Sequence, residues 1–133
     1  MAKEVTELED RWILPLRGHT VTRIEPGAQT VFVLDSGVRI IVGEHAYFTY
    51  FTDGPQGVPG TVRLELAELD LGEVRKSIGT CVVSAVAFKS GALRIVLKDG
   101  RQLNVTRAQP LVPAAVVSGE TVLWMRDIPS AET

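Results

Sequence analysis

Asp99-Gly100, set between two alternating apolar runs, constrains this chain more than any other feature. Leu93 to Lys98 alternates apolar and polar residues, and Arg101 to Val105 alternates again. A two-residue Asp-Gly connection relieves the positive φ that a tight hairpin turn requires. A second hairpin is written the same way: Val31-Phe32-Val33-Leu34, the turn Asp35-Ser36-Gly37, then Val38-Arg39-Ile40-Ile41-Val42. The two are preceded by matching elements, Gly18-x-x-Val21 and Gly79-x-x-Val82. Within the hairpins Leu34, Gly37, Ile40 and Val42 correspond to Leu97, Gly100, Leu103 and Val105. The two spacings differ by two residues, a slip absorbed at Lys89-Ser90-Gly91. The simplest reading is a duplicated three-strand antiparallel meander.

That pattern predicts an all-β or β-dominated α+β fold in which two meanders pack together, since one alone has too little apolar surface. Strands are expected near 19–25, 30–35 and 38–43, and again near 80–88, 92–98 and 101–107. Repeat one spans about 12–52 and repeat two about 61–107, joined by a mobile loop over 53–60, where Gly and Pro cluster. Val62, Leu64 and Leu66 alternate as a further strand. One short helix is expected near 70–77, with Asp70 as N-cap and Leu71, Val74 and Ile78 on one face. Ala114–Val117 and Thr121–Met125, around Ser118-Gly119, read as a C-terminal hairpin within 112–126. Residues 1–9 and 128–133 read as frayed ends. With 133 residues and 14.5 kDa, the chain is expected to form a single domain over 1–133.

Charge and cysteine usage narrow the function classes. Fourteen Lys and Arg against sixteen Asp and Glu give a net charge of −2, which supplies no global attraction to nucleic acid or an anionic membrane. One cysteine, Cys81, excludes a disulfide framework and a Cys-rich zinc site. No apolar run reaches the length of a membrane span, and Met1 to Asp10 is acidic, unlike a signal peptide. A cytoplasmic location is therefore expected.

The pattern Leu14-Pro15-Leu16-x-Gly18-x-x-Val21-x-x-Ile24, followed by the Gly37 hairpin, resembles an uncharacterised family of small bacterial β-rich proteins, a domain of unknown function. The second half is similar at Leu71, Gly79-x-x-Val82, Phe88, Gly91-x-Leu93, Asp99-Gly100 and Leu103. The resemblance covers roughly residues 12 to 107, and its motifs are turns and core positions. It implies a fold and carries no activity.

Groups able to do chemistry are sparse. His19 and His45 stand alone in sequence and read as solvated strand-end residues. Cys81 lies among apolar residues without a neighbouring cation and is expected to be a buried, inert thiol. No nucleophile elbow, phosphate loop or dinucleotide fingerprint is present. No catalytic residue, cofactor or metal ligand is assigned, and a non-enzyme is expected.

Two local features offer surfaces for partners. Ala46-Tyr47-Phe48-Thr49-Tyr50-Phe51 concentrates aromatics, so Tyr47 and Tyr50 are candidate partner contacts. Charge is also segregated: 44–74 is acidic and 75–107 basic, with Arg94 and Lys98 on the outer face of the second hairpin. A third surface emerges when the hairpins are compared. The second has a polar outer face, whereas the first carries Val31, Val33 and Ile41, interrupted by Arg39. Such a patch needs cover, from the C-terminal hairpin bearing Trp124, from the Trp12 segment, or from a second copy; a homodimer through Val31, Val33 and Ile41 is the expectation. The chain therefore reads as a non-enzymatic binding or structural module acting through protein–protein contact, of an immunity-like or adaptor kind, with an unidentified protein partner. The alternative is a small-ligand or nucleic-acid binder using the basic second hairpin; the charge balance argues against nucleic acid, and no membrane partner is expected.

Overall fold

Strict alternation of buried and exposed side chains runs through the central strands, and it sorts them into two faces. In the computed structural model, which describes residues 4–43, 45–53, 59–106 and 114–126, Phe32, Leu34, Ile40 and Val42 are buried while Val31, Val33, Arg39 and Ile41 beside them are not. Among the described residues twelve strands form two antiparallel sheets. The first half supplies β1 (Thr6–Glu7), β2 (Arg11–Ile13), β3 (Val21–Glu25), β4 (Gln29–Leu34), β5 (Val38–Gly43), β6 (Tyr47–Asp53) and β7 (Pro59–Glu65). The second half supplies α1 (Leu71–Arg75), β8 (Val82–Phe88), β9 (Leu93–Leu97), β10 (Gln102–Val105), β11 (Ala114–Ser118) and β12 (Thr121–Arg126). The seven-stranded sheet has the order β1-β2-β8-β9-β10-β6-β7, the five-stranded sheet β12-β11-β5-β4-β3. The fold is β-rich, as the hairpin pattern predicts, with α1 the lone α-helix among the described residues.

Each sheet joins a meander from one half to a hairpin from the other. The meander β3-β4-β5 receives β11-β12 at its β5 edge, and β8-β9-β10 receives β6-β7 at its β10 edge. Where the meanders begin, they exchange hydrogen bonds reciprocally. Gly18 N–H donates to Val82 O and Gly79 N–H to Val21 O, both at 2.8 Å; Val21 N–H reaches Thr80 O and Val82 N–H reaches His19 O. A lone bridge, Thr20 to Cys81, lies between them, and both leading strands carry an irregularity at matching places, Val21/Arg23 and Val82/Ser84. Gly18 and Gly79 take φ of 87° and 96°, a region costly for residues with a Cβ.

The inner faces enclose one core. Phe32 of the five-stranded sheet stacks on Phe48 of the seven-stranded sheet, ring centroids 6.4 Å apart, with both rings shut from solvent. Burying a side chain of that size is worth about 1.5–3 kcal/mol. Leu16, Leu34, Ile95 and Val116 fill the same layer.

Several expectations need correction. The segment 4–9 is no frayed end: Thr6 pairs with Ile13 and Glu7 with Trp12, making β1 an edge strand. Asp53, Pro59 and Gly60 belong to the β6-β7 hairpin, leaving 54–58 of the expected loop outside the described residues. Residues 1–3, 107–113 and 127–133 also lie outside them, including all of the expected C-terminal fray at 128–133 and the start of the 112–126 segment. The helix forms where Asp70 predicts it, the carboxylate accepting from Gly72 N–H at 3.0 Å, but ends at Arg75. Val74 is buried, while Ile78, beyond the helical turn, is 42% exposed. Cys81 is half-buried instead of enclosed, because it sits at the bridge between the leading strands.

Candidate functional site

Register across the five-stranded sheet determines what its outer face presents. Val31 lies opposite Ile41, Ile41 opposite Ala115, and Ala115 opposite Met125. One row along, Val33 faces Arg39, Arg39 faces Val117, and Val117 faces Val122. The three residues named from sequence are thus brought together, and β11 and β12 widen their patch across four strands. Met125 is 54% exposed and Val122 52%. Polar groups enter at Arg39 and at the β3 edge, where Arg23 and Glu25 form a 2.9 Å ion pair. The C-terminal hairpin does not cover this face. It pairs edge-on with β5 and turns Trp124 into the core, leaving the apolar surface wider than the first hairpin alone made it. Ala115, Val117, Val122 and Met125 could have been found from alternation in 114–126, had the pairing of β11 with β5 been known.

The outer face of the seven-stranded sheet is polar and aromatic. A row runs through Arg94, Asn104, Tyr47 and Glu65 on β9, β10, β6 and β7. Lys98 is exposed at the end of β9. Tyr50 does not join them: parity puts it beside Val62 on the inner face, packed against the core. Aromatics reach the basic strands from their neighbours. Arg11 and Arg94 flank the Phe88 ring at 5.0 and 5.6 Å from its centroid, and the Arg63 guanidinium lies 4.4 Å from the centroid of Tyr47. Arg11 also bonds Asp10, and this holds the Asp10 carboxyl below the usual carboxylate range. The charge segregation seen in sequence is partly neutralised, since Arg101 pairs with Asp99 and approaches Glu73 to 4.0 Å.

The histidines go to separate partners. His19, just before β3, is half-buried, and its Nδ1 shares a hydrogen bond with Ser36 Oγ. His45 Nδ1 lies 3.1 Å from Glu65 Oε2. Among the described residues no cluster of three His, Cys, Asp or Glu could hold a metal ion, and no helix is long and apolar enough to cross a membrane. The Ser36–His19 pair has no acid on the second ring nitrogen among the described residues, the group that orients the base in a serine triad.

Comparison with known sequences places residues 12–119 in a family of unknown function, DUF6188, and the chain belongs to that family. The match reaches past the two meanders into β11. No curated protein and no solved structure matches the chain.

Proposed function

We propose that this member of a family of unknown function is a non-enzymatic binding module of the cytoplasm that works through protein–protein contact, and that its docking surface is the outer face of the five-stranded sheet. The observation that carries this reading is the apolar surface of Val31, Val33, Ile41, Ala115, Val117, Val122 and Met125 across four strands, interrupted by Arg39. A soluble protein rarely leaves so wide an apolar face open. The occupant is a second copy: an apolar face whose charges are Arg39 and the Arg23–Glu25 pair can meet itself across a two-fold axis, with Arg39 of one copy near Glu25 of the other. The reciprocal hydrogen bonds of Gly18 with Val82 and of Gly79 with Val21, around the Thr20–Cys81 bridge, support the further reading that the chain arose by duplication of a meander-plus-hairpin unit.

Val33→Lys tests the docking surface. Light scattering of the wild type at micromolar concentration should give the mass of a dimer, and the variant should give half that mass with an unchanged circular dichroism spectrum. A monomeric wild type would overturn the proposal. The outer face of the other sheet supports a second reading, an anionic partner, because Arg11, Arg94 and Arg63 lie against exposed-face aromatics there. Salt-dependent retention on heparin, lost in Arg94→Ala, would favour it; flow-through at low salt would dismiss it.

A further inference from the structure

The two halves differ at one end of the fold, and a cavity lies at the open end of the first. Ser36-Gly37-Val38 in the first meander corresponds to Asp99-Gly100-Arg101 in the second. In the second, Arg101 pairs with Asp99, lies near Glu73 of α1, and is only 17% exposed. The Phe51 ring covers Gly100 so closely that an added Cβ would overlap it. That end is sealed. In the first, an added Cβ on Gly37 would meet nothing within 4 Å. Counting along the strands from Phe48 and its counterpart Val116, the position that delivers Phe51 is taken by Gly119, which has no side chain to supply a lid. No ion pair replaces Arg101, because Val38 stands there. At this end, lined by Ser36, Val38 and Ser118, lies a cavity of about 580 Å³.

We infer that this cavity is a binding site for a small amphipathic carboxylate, an acid group on an apolar body. Its size falls within the range of ligand pockets, roughly 300–1,000 Å³. Leu14, Val38 and Leu123 give it apolar walls. His19 and Ser36, bonded to each other, place an imidazole and a hydroxyl on the lining, and the second ring nitrogen of His19 has no partner among the described residues. Arg17 lines the same cavity and has no ion-pair or hydrogen-bond partner among the described residues. A guanidinium free to bond an anion beside apolar walls matches a carboxylate head with a hydrocarbon or aromatic tail. Glu4 is the one acid on the lining; it would attract a cationic head and repel a carboxylate, so carboxylate binding requires Arg17 to outweigh it.

Octanoate and octylamine, titrated separately into the full-length protein and followed by amide chemical shifts, decide the matter. Octanoate should bind saturably, with the largest shifts at His19, Val38 and Leu123. Arg17→Ala should weaken it roughly tenfold, equivalent to about 1.4 kcal/mol, while Arg75→Ala, an exposed charge elsewhere, should not. Glu4→Gln should leave octanoate binding intact or tighten it. Absence of saturation, octylamine binding as well as octanoate, an unchanged affinity in Arg17→Ala, or shifts confined to Val31, Val33 and Ile41 would each overturn the assignment. The dimer proposal is read by mass and this one by shifts, so either can fail alone.

Discussion

Replacing each of two corresponding turn glycines by alanine separates backbone strain from the seal at one end of the fold. Gly37 and Gly100 hold φ of 87° and 93°, so the left-handed penalty is shared, about 1–2 kcal/mol each. Only at Gly100 does the new methyl meet a neighbour: Phe51 Cζ would lie 3.0 Å away, with the near ring edge closer still. Phe51 is 53% exposed, so the ring can swing aside, but it then gives up what it buries on the turn. Half of a side chain that buries about 200 Å² when enclosed is roughly 100 Å². At about 25 cal/mol per Å² that sets an upper bound near 2.5 kcal/mol, and partial recovery elsewhere reduces it to about 1–2 kcal/mol. Urea unfolding should therefore show Gly37→Ala destabilised by about 1–2 kcal/mol and Gly100→Ala by about 1–2 kcal/mol more. In a Phe51→Ala background the two losses should converge. Equal losses in the wild-type background, or a gap that survives removal of Phe51, would refute the lid.

Asp70→Ala removes the carboxylate that accepts from Gly72 N–H and should cost about 1 kcal/mol in urea unfolding, with far-ultraviolet circular dichroism almost unchanged because α1 is so short. The Asp10 carboxyl is held below its ordinary value by Arg11, so it favours the folded state above the unfolded-state pKa of about 3.9, and that contribution disappears as pH falls through the lower folded value. Asp10→Asn should remove this part of the acid-side slope in pH-dependent unfolding, a small effect abolished by salt because the pair is exposed.

Local physics made the meanders legible. Alternation and turn glycines act between neighbours in sequence, so β3-β4-β5 and β8-β9-β10 could be read from spacing, and the outward set Val31, Val33, Ile41 followed from parity. Asp70 likewise declared the helix start. What sequence concealed was the partner of each hairpin. Nothing in Tyr47–Phe51 states that its neighbour is β10, and nothing in Ala114–Val117 states that its neighbour is β5, because edge pairing is decided by which buried row is complementary in space. Phe48 meets Leu103 and Val116 meets Ile40, contacts between residues far apart in sequence. For the same reason the aromatic contacts of the basic strands were hidden, as was the cavity at Ser36, whose walls come from segments as distant as Leu14, Val38 and Leu123.

The exchange of hairpins makes the two halves dependent on one another. A chain divided between Leu69 and Asp70 would leave the first half with β3-β4-β5 but no β11 at the β5 edge, and with β6-β7 but no β10 beside β6. The second half would lose β2 from β8 as well as the reciprocal bonds of Gly18 and Gly79. Each half would expose unpaired edges and half of a core that is shared between sheets, and small isolated meanders are marginal at best. Residues 1–69 and 70–133, prepared separately, should therefore give poorly dispersed amide spectra and no cooperative thermal transition. Mixed in equal amounts, they should recover the dispersed spectrum of the intact chain, slowly, because the pairings that close the sheets are long-range. A dispersed spectrum from either half as a monomer would mean that its meander and hairpin satisfy each other locally. The observed pairing would then be one choice among two, and the interdependence argued from Phe48–Leu103 and Val116–Ile40 would fall.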